Sequence, residues 1–337
     1  KHRNILRPFT EVTMLRACVY FSAVFGASAF STTPTPEPME YLKLIDLPMD
    51  TLPEGVVGGV GSTIFAGSRS NGRIFKVDTA TGEVVELVAP LPATATHEQS
   101  QRWAVGLTYD VMTNTVFSAG GPSGEVRAFN ADSGEMLGVW MLNVPNTAAG
   151  ETVFINDCVI SDAGVYVTNS RKAEMYLLPF GTGNALPAPN GFTTIPLTGQ
   201  WEQLGSGNSA NGIEALPDGN LLVINGGNGK LFKVMPSGEA MLISLTGMGA
   251  EFALTNGDGI LLDGMELYVV HNRLNQVTVF KMAADFMTGT LHKLVVDDDF
   301  KVPTTIAKVE DRFYVVNARF GESPPLDYEI VHVTDLP

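Results

Sequence analysis

Residues 211–245 read NGIEALPDGNLLVINGGNGKLFKVMPSGEAMLISL, and this stretch decides the fold. Its short apolar runs alternate with turn residues such as Asp218-Gly219, a pattern typical of antiparallel strands joined by tight turns. It predicts four strands, Gly212–Pro217, Asn220–Asn225, Lys230–Met235 and Ala240–Leu245. Four consecutive short strands of this kind are the building unit of a propeller blade.

The same unit recurs along the chain with a period of about 50 residues, which is typical of propellers. Five complete units can be read between Val56 and Val295, and a sixth unit of only three strands ends at Thr334. The alternating stretch Tyr41–Leu47 can supply the missing strand, so that both ends of the chain share one blade and no edge is left unpaired. The sequence therefore predicts an all-β, six-bladed β-propeller over residues 41–337. A pair of β-sandwiches is the competing fold, but sandwiches lack such in-phase repetition.

The composition excludes several classes of protein. The chain has 337 residues, 45% of them hydrophobic, and a formal net charge of −15. This hydrophobic share is enough for a packed core, and the acidity argues against nucleic acid or an anionic membrane surface as a partner. Only two cysteines are present, too few for a disulfide framework or a cysteine-ligated zinc module.

Residues 1–30 read as a targeting segment. Met14-Leu15-Arg16 is a basic start, residues 17–25 are an apolar run too short to span a bilayer, and small residues follow at 26–29. We expect a secreted protein with no membrane span after removal of this leader. The junction before Phe30 also resembles the plastid-entry signal of diatoms and related algae, which is the alternative. Residues 1–13 are interpreted as a gene-model extension or tag, and 31–40 as a Pro/Thr-rich linker.

One position of the repeat carries the candidate chemistry. The first strand of every propeller blade lines the central channel, so equivalent positions face one axis. The residues just before the six inner apolar runs are Glu54, Val105, Asn156, Asn211, Asp258 and Thr304. Two carboxylates and two amides suit a hard divalent cation, because the carboxylates balance its charge and the amide oxygens complete its coordination. The sequence predicts calcium, or magnesium or manganese, at Glu54, Asn156, Asn211 and Asp258, whereas zinc would favour His or Cys.

A second series of asparagines falls at the ends of the second strands. Its members are Asn169, Asn225, Asn272 and Asn317. We interpret this outer series as structural, with each side chain capping the loop that follows. Cys158, two residues into an inner strand, is interpreted as a small buried apolar residue.

The strand beginnings Pro53-Glu54-Gly55, Ile155-Asn156-Asp157, Asn211-Gly212-Ile213 and Asp258-Gly259-Ile260 resemble those of the gluconolactonase/regucalcin (senescence marker protein) superfamily. The resemblance extends over about Tyr41–Pro337. It implies a six-bladed propeller with one divalent ion bound by a Glu, two Asn and an Asp. It also implies lactone hydrolysis, with the ion polarising the ring carbonyl and Asp258 serving as ligand and general base.

Substrate contacts are expected from loops on the same face, at 90–103, 143–151 and 198–209. Arg102, Trp103 and His97 are the candidates there. Two functions remain open at this point. One is a metal-dependent hydrolase of a small lactone or ester, and the other is a non-catalytic propeller that binds a protein or glycan and holds a structural metal. The oligomeric state is not determined by these patterns.

Overall fold

The computed structural model describes residues 41–94, 97–143, 152–247, 250–323 and 326–337. The predicted leader (1–30) and linker (31–40) lie outside these ranges. Strand β1 (Leu44–Leu47) comes first and pairs antiparallel with the last strand, Tyr328–Val333. The predicted sharing of one blade between the two ends of the chain is therefore confirmed.

The strands form six sheets in chain order, each built on four antiparallel strands of the repeat, and β1 is the fourth strand of the sixth sheet. Blade 1 has β2 (Pro53–Gly58), β3 (Thr63–Ser68), β4 (Ile74–Asp78) and β5 (Val84–Val88); blade 2 has β6 (Leu107–Asp110), β7 (Thr115–Ala119), β8 (Glu125–Asn130) and β9 (Met136–Met141); blade 3 has β10 (Ile155–Ser161), β11 (Gly164–Asn169), β12 (Glu174–Pro179) and β13 (Thr193–Pro196).

Blades 4 and 5 carry additional outer strands that the sequence did not predict. Blade 4 has β14 (Thr198–Gly199), β15 (Ala210–Ala215), β16 (Leu221–Asn225), β17 (Lys230–Val234) and β18 (Glu239–Leu242); blade 5 has β19 (Ser244–Gly247), β20 (Ala250–Glu251), β21 (Gly257–Asp263), β22 (Glu266–His271), β23 (Gln276–Met282) and β24 (Thr288–Val296); blade 6 has β25 (Pro303–Val309), β26 (Arg312–Asn317), β27 (Tyr328–Val333) and β1. Strand β14 pairs parallel with β18, and β19 with β24, so both cover an otherwise unpaired outer edge.

The inner strands β2, β6, β10, β15, β21 and β25 contact one another in a closed ring. Between every two neighbouring blades lies a separate apolar cluster, such as the one that joins Ile64 of blade 1 to Tyr314 of blade 6. Burial of these side chains between sheets supplies the driving force that holds the ring together. The six-bladed propeller is confirmed. Among the described residues no helix is long and apolar enough to cross a membrane.

A β-bulge lies at the start of five inner strands. In blade 1, Pro53 is opposite Ser68 and Val56 is opposite Ala66, so three steps on the inner strand match two on its partner. The same shift recurs in blades 3, 4, 5 and 6. A bulge inserts one residue and re-aims the side chains beside it. In these five blades the strand pairing resumes on the far side of the bulge, so the observed inner strands begin earlier than the apolar runs that predicted them.

Candidate functional site

The bulges place the aligned positions of the repeat at one end of the central channel. A cavity of about 590 Å³ opens there, and Glu54, Asn211 and Asp258 line it, with Val105 from blade 2. The structure thus brings together three of the four residues predicted to bind a metal. Thr304, the equivalent residue of blade 6, instead donates its hydroxyl to the carbonyl oxygen of Glu54 at 2.6 Å.

Glycines after the bulge positions let neighbouring blades approach closely. A Cβ on Gly55 would lie 1.9 Å from the carbonyl oxygen of Val105, and one on Gly212 would lie 2.5 Å from that of Asp258. Cβ atoms essentially never lie within 3.0 Å of a non-bonded atom, so neither position accommodates a side chain. The glycine of Asn211-Gly212 is therefore required by packing between blades.

Asp258 is held by two side-chain amides. Asn211 Nδ2 donates to Asp258 Oδ1 at 2.7 Å, and Asn272 Nδ2 donates to Asp258 Oδ2 at 3.0 Å. Burial raises the pKa of Asp258 to about 6, although both hydrogen bonds favour the charged form and act in the opposite direction.

Glu54 is buried with an exposed fraction of 8%. Among the described residues, its carboxylate accepts no hydrogen bond from a side chain and forms no ion pair. Burial raises its pKa well above the usual range, the negative charges of Asp258 and Asp157 raise it further, and Arg69 opposes them. Two acidic groups thus share one cavity and interact through it. At neutral pH a positive charge in addition to Arg69, such as a bound cation, would stabilise the ionised forms of both Glu54 and Asp258.

Asn156 does not line this cavity. Its Nδ2 donates to Ser170 Oγ at 2.8 Å, and Ser170 Oγ donates to the carbonyl oxygen of Ala210 at 2.6 Å. In this arrangement Asn156 connects blades 3 and 4.

Deeper in the channel two further acids border a cavity of about 220 Å³. Asp157 accepts hydrogen bonds from the backbone N–H groups of Cys158 at 2.9 Å and Ile213 at 3.4 Å. Burial raises the pKa of Asp157 to about 7 and that of Glu214 to about 8. The Lys308 side chain in this cavity is paired with Asp263, so it leaves both acids uncompensated. Burial also raises the pKa of the Cys158 thiol, which agrees with its interpretation as an unreactive buried residue.

Of the three residues predicted to contact substrate, only Trp103 lines the mouth cavity. It packs edge-on against Phe154, with ring centroids 5.8 Å apart. Arg102 lies outside the cavity in a buried ion pair with Glu125, Nη2 to Oε2 at 3.2 Å. His97 is buried in the preceding loop and does not line the cavity. Of the loops expected to contribute, residues 144–151 lie outside the described ranges, and 198–209 contributes Gly207 and Asn208.

All four outer asparagines accept a backbone N–H through Oδ1, and one of them, Asn272, also reaches into the mouth. Asn169, Asn225 and Asn317 accept backbone N–H groups of neighbouring loops through Oδ1. The second strand of blade 5 ends at His271, so Asn272 is one residue further on. Its Oδ1 accepts the backbone N–H of Arg273 at 2.6 Å, while its Nδ2 reaches Asp258.

Sequence reasoning missed the residues that directly follow the second strands. Aligned on the last residues of those strands, the next positions are Arg69, Gly120, Ser170, Gly226, Asn272 and Ala318. Three of them, Arg69, Gly226 and Asn272, line the mouth. An alignment of the second strands at their ends would have found this position. Arg273, Phe154 and Phe320 also line the mouth and come from loops with no repeated pattern.

The donor set fits a hard cation in part. Among the described residues no three His, Cys, Asp or Glu side chains are grouped to share a metal ion. The mouth offers two carboxylates, Glu54 and Asp258, and the amides of Asn211 and Asn272. A half turn of its amide lets Asn211 offer the hard oxygen atom that calcium or magnesium prefers. The oxygen of Asn272 accepts the backbone N–H of Arg273 at 2.6 Å and would first have to leave it.

The protein is a six-bladed β-propeller with an acidic, amide-lined mouth on its channel. Solved structures similar to it include the major allergen Mala s 1 of Malassezia sympodialis, at 15% identity and a TM-score of 0.63 over 86% of this chain and 96% of that one. Virginiamycin B lyase of Staphylococcus aureus is similar at 13% identity and a TM-score of 0.52 over 87% and 100%. U3-55K is similar at 12% identity and a TM-score of 0.53 over 86% and 98%.

The WD40 repeats of RRP9 are also similar, at 11% identity and a TM-score of 0.52 over 82% of this chain and 79% of that one. These similarities establish the fold alone, because they include both a lyase and a WD40-repeat protein. No protein-family model matches the sequence. No curated protein matches it either.

Proposed function

We propose that the protein is a metal-dependent hydrolase of a small lactone or ester, and that one divalent cation, calcium first, binds at the mouth of its channel. The observation that carries the proposal is the pair of buried carboxylates, Glu54 and Asp258, which share a solvent-open cavity and form no ion pair among the described residues. The resemblance of four inner strands to the gluconolactonase superfamily supports it.

Glu54 and Asp258 would hold the ion as anionic ligands, and Asn211 as a neutral one. Asn156 would join them only if its hydrogen bond to Ser170 broke. Asn272 already lines the mouth and contacts Asp258. A divalent ion bound there supplies polarisation of a carbonyl oxygen and acidification of bound water.

Asp258 is the residue proposed to accept a proton. Its carboxylate borders the same cavity as the proposed ion, so it can take a proton from a water molecule bound there. The amides of Asn211 and Asn272 fix its orientation. In the overall reaction, the hydroxyl of water bonds to the acyl carbon, the ring or ester C–O bond breaks, and the proton goes to the departing oxygen.

Calorimetric titration of calcium, magnesium and manganese into the chelator-stripped chain tests the site. We expect one ion per chain, and we expect Asp258→Asn and Glu54→Gln each to weaken binding by at least about 100-fold, since each removes an anionic ligand. Glu214→Gln is the matched control, because it removes a channel carboxylate outside the mouth. A screen of γ- and δ-lactones and 4-nitrophenyl esters follows. No binding by the parent chain, or equal binding by all variants, would refute the metal site.

The second candidate is a non-catalytic propeller with a structural metal that binds a protein or glycan partner. Val60, Val111 and Met112 favour it, because these hairpin residues on the face opposite the mouth are 64%, 62% and 75% exposed. Exposed apolar clusters mark interaction surfaces. This candidate predicts that calcium raises the melting temperature while no lactone or ester in the screen is hydrolysed.

We also propose that residues 1–30 direct the chain into the secretory pathway, with the plastid of an alga as the alternative. Calcium concentrations outside the cell suit a weak oxygen-ligand site. Amino-terminal sequencing of the protein from its native source tests the leader. A chain that begins near residue 30 supports its removal, and an intact residue 14 contradicts it.

A further inference from the structure

The guanidinium of Arg69 lines the mouth cavity, and no carboxylate of the described residues pairs with it. Its backbone N–H donates to the carbonyl oxygen of Leu52 at 3.1 Å, which fixes the point where the side chain leaves β3. The guanidinium carbon lies 4.6 Å from the ring centroid of Phe320. Nε is buried and has no hydrogen-bond partner, and among the described residues the side chain forms no hydrogen bond or ion pair.

Two other sheltered arginines are paired with carboxylates, although Nε of Arg319 also lacks a hydrogen-bond partner. Arg102 pairs with Glu125, and Arg319 pairs with Glu329 through Nη2 at 2.9 Å. Burial lowers the pKa of Arg69, which means that the site disfavours its charge. Unsatisfied guanidinium donors carry a free-energy penalty that a ligand with matching acceptors removes.

Arg69 is held away from the acids that share its cavity. Its charge favours ionisation of Glu54, but the two side chains form no ion pair. Stacking on Phe320 gives the guanidinium a different anchor. The segment that carries Phe320 is fixed in turn, because Arg319 Nη1 pairs with Glu322 at 3.0 Å. The mouth therefore holds acidic groups and a guanidinium that is not paired with them.

We propose that Arg69 binds a carboxylate group of the substrate, so that the protein acts on lactones or esters that carry a carboxylate beside the reacting bond. The class of substrate rests on the proposed function, whereas carboxylate binding by Arg69 does not. A guanidinium and a carboxylate match in geometry and form two parallel hydrogen bonds. The edge-to-face pair of Trp103 and Phe154 provides an apolar wall for the rest of the molecule.

A singly charged group is favoured over a doubly charged one. Glu54 and Asp258 border the same cavity, and the whole chain has a net charge of −15. Repulsion from these acids grows with the charge of the ligand, so a phosphate dianion is disfavoured relative to a carboxylate.

A binding experiment tests Arg69 without any turnover. The probes are tetrahydrofuran-2-carboxylate and its neutral carboxamide, titrated into the full chain with and without calcium. We expect the carboxylate to bind at least about 10-fold tighter than the carboxamide, and Arg69→Gln to abolish this preference. Arg273→Gln is the matched control, because Arg273 lines the same cavity at its exposed rim. Phe320→Leu keeps the charge but removes the stacking, and it should weaken carboxylate binding by a smaller factor.

Equal losses in Arg69→Gln and Arg273→Gln would overturn the assignment, because they would reflect only the general charge of the mouth. Inorganic phosphate that binds tighter than the carboxylate would overturn the class of ligand. Equal melting temperatures of the variants establish that each has folded.

Turnover separates this inference from the proposed function. We expect 5-oxotetrahydrofuran-2-carboxylate to be hydrolysed with a higher kcat/KM than its carboxamide, and Arg69→Gln to reduce that ratio by about 10–100-fold. A ratio unchanged in Arg69→Gln would overturn the role of Arg69 and leave the hydrolase intact. Absence of all hydrolysis, with Arg69-dependent binding of the carboxylate, would overturn the hydrolase and support the anion site.

Discussion

Asn211 Nδ2 donates a 2.7 Å hydrogen bond to Asp258 Oδ1, and this contact joins the same bulge position of two neighbouring blades. Both residues lie at the mouth of the channel, and each is followed by a glycine that lets the blades approach. The bond shows how repetition of one strand position builds a site from residues that are distant in sequence.

Stability of the metal-free chain should depend on pH with an unusual sign. Burial raises the pKa values of Asp258, Asp157 and Glu214 to about 6, 7 and 8. The folded state therefore binds these protons more tightly than the unfolded state, and the free energy of unfolding should rise as the pH falls through this range. His271, whose pKa burial lowers, opposes the effect below about pH 6.5.

Urea denaturation in the presence of a chelator measures this dependence. We expect a higher urea midpoint at about pH 6.5 than at about pH 8. The corresponding free energy of unfolding should be greater at the lower pH by on the order of 1–3 kcal/mol. Saturating calcium should remove most of the part of this pH dependence that arises from Glu54 and Asp258 at the mouth. A midpoint that falls as the pH is lowered through this range would contradict the raised pKa values.

Asp258→Asn should stabilise the metal-free chain at alkaline pH while it abolishes metal binding. The substitution removes a buried charge, which is worth on the order of 2 kcal/mol where Asp258 is ionised. The two chains should approach equal stability only below about pH 4, where Asp258 is protonated in the unfolded state as well as in the folded state. Asn169→Asp serves as a converse control, because it adds a charge at a buried structural position and should destabilise at neutral pH.

Metal affinity should fall as the medium becomes acidic. A carboxylate must lose its proton to bind a cation, so below the pKa of Asp258, about 6, affinity should decrease by about 10-fold per pH unit for each competing proton. Calorimetry in two buffers of different protonation enthalpy counts the protons released. Release of no proton at about pH 6 would show that Asp258 is not a ligand.

The repeat could be predicted from the sequence because apolar alternation and turn residues recur in every blade. The site was predicted only where it follows that repetition, as with Glu54, Asn211 and Asp258. Two causes account for the rest. The second strand of blade 5 ends at His271 and not at an asparagine, which placed Asn272 in the wrong series. The direction of a side chain also depends on its neighbours, as Asn156 beside Ser170 shows. Arg102 was a candidate because loops near a channel carry function, but its buried partner Glu125 lies on another strand and could not be inferred from spacing.

Gly55→Ala tests whether close packing of the inner strands is required. The added Cβ would lie 1.9 Å from the carbonyl oxygen of Val105, a backbone atom that cannot move without shifting blade 2. We expect a loss of about 2–4 kcal/mol in free energy of unfolding, as for other overpacked sites. Gly205→Ala is the matched control, because nothing lies within 4 Å of its added Cβ. Since Gly55 adjoins Glu54, the folded fraction of Gly55→Ala should also bind calcium more weakly. A stable Gly55→Ala chain with unchanged calcium affinity would show that the inner ring tolerates a wider spacing between blades 1 and 2.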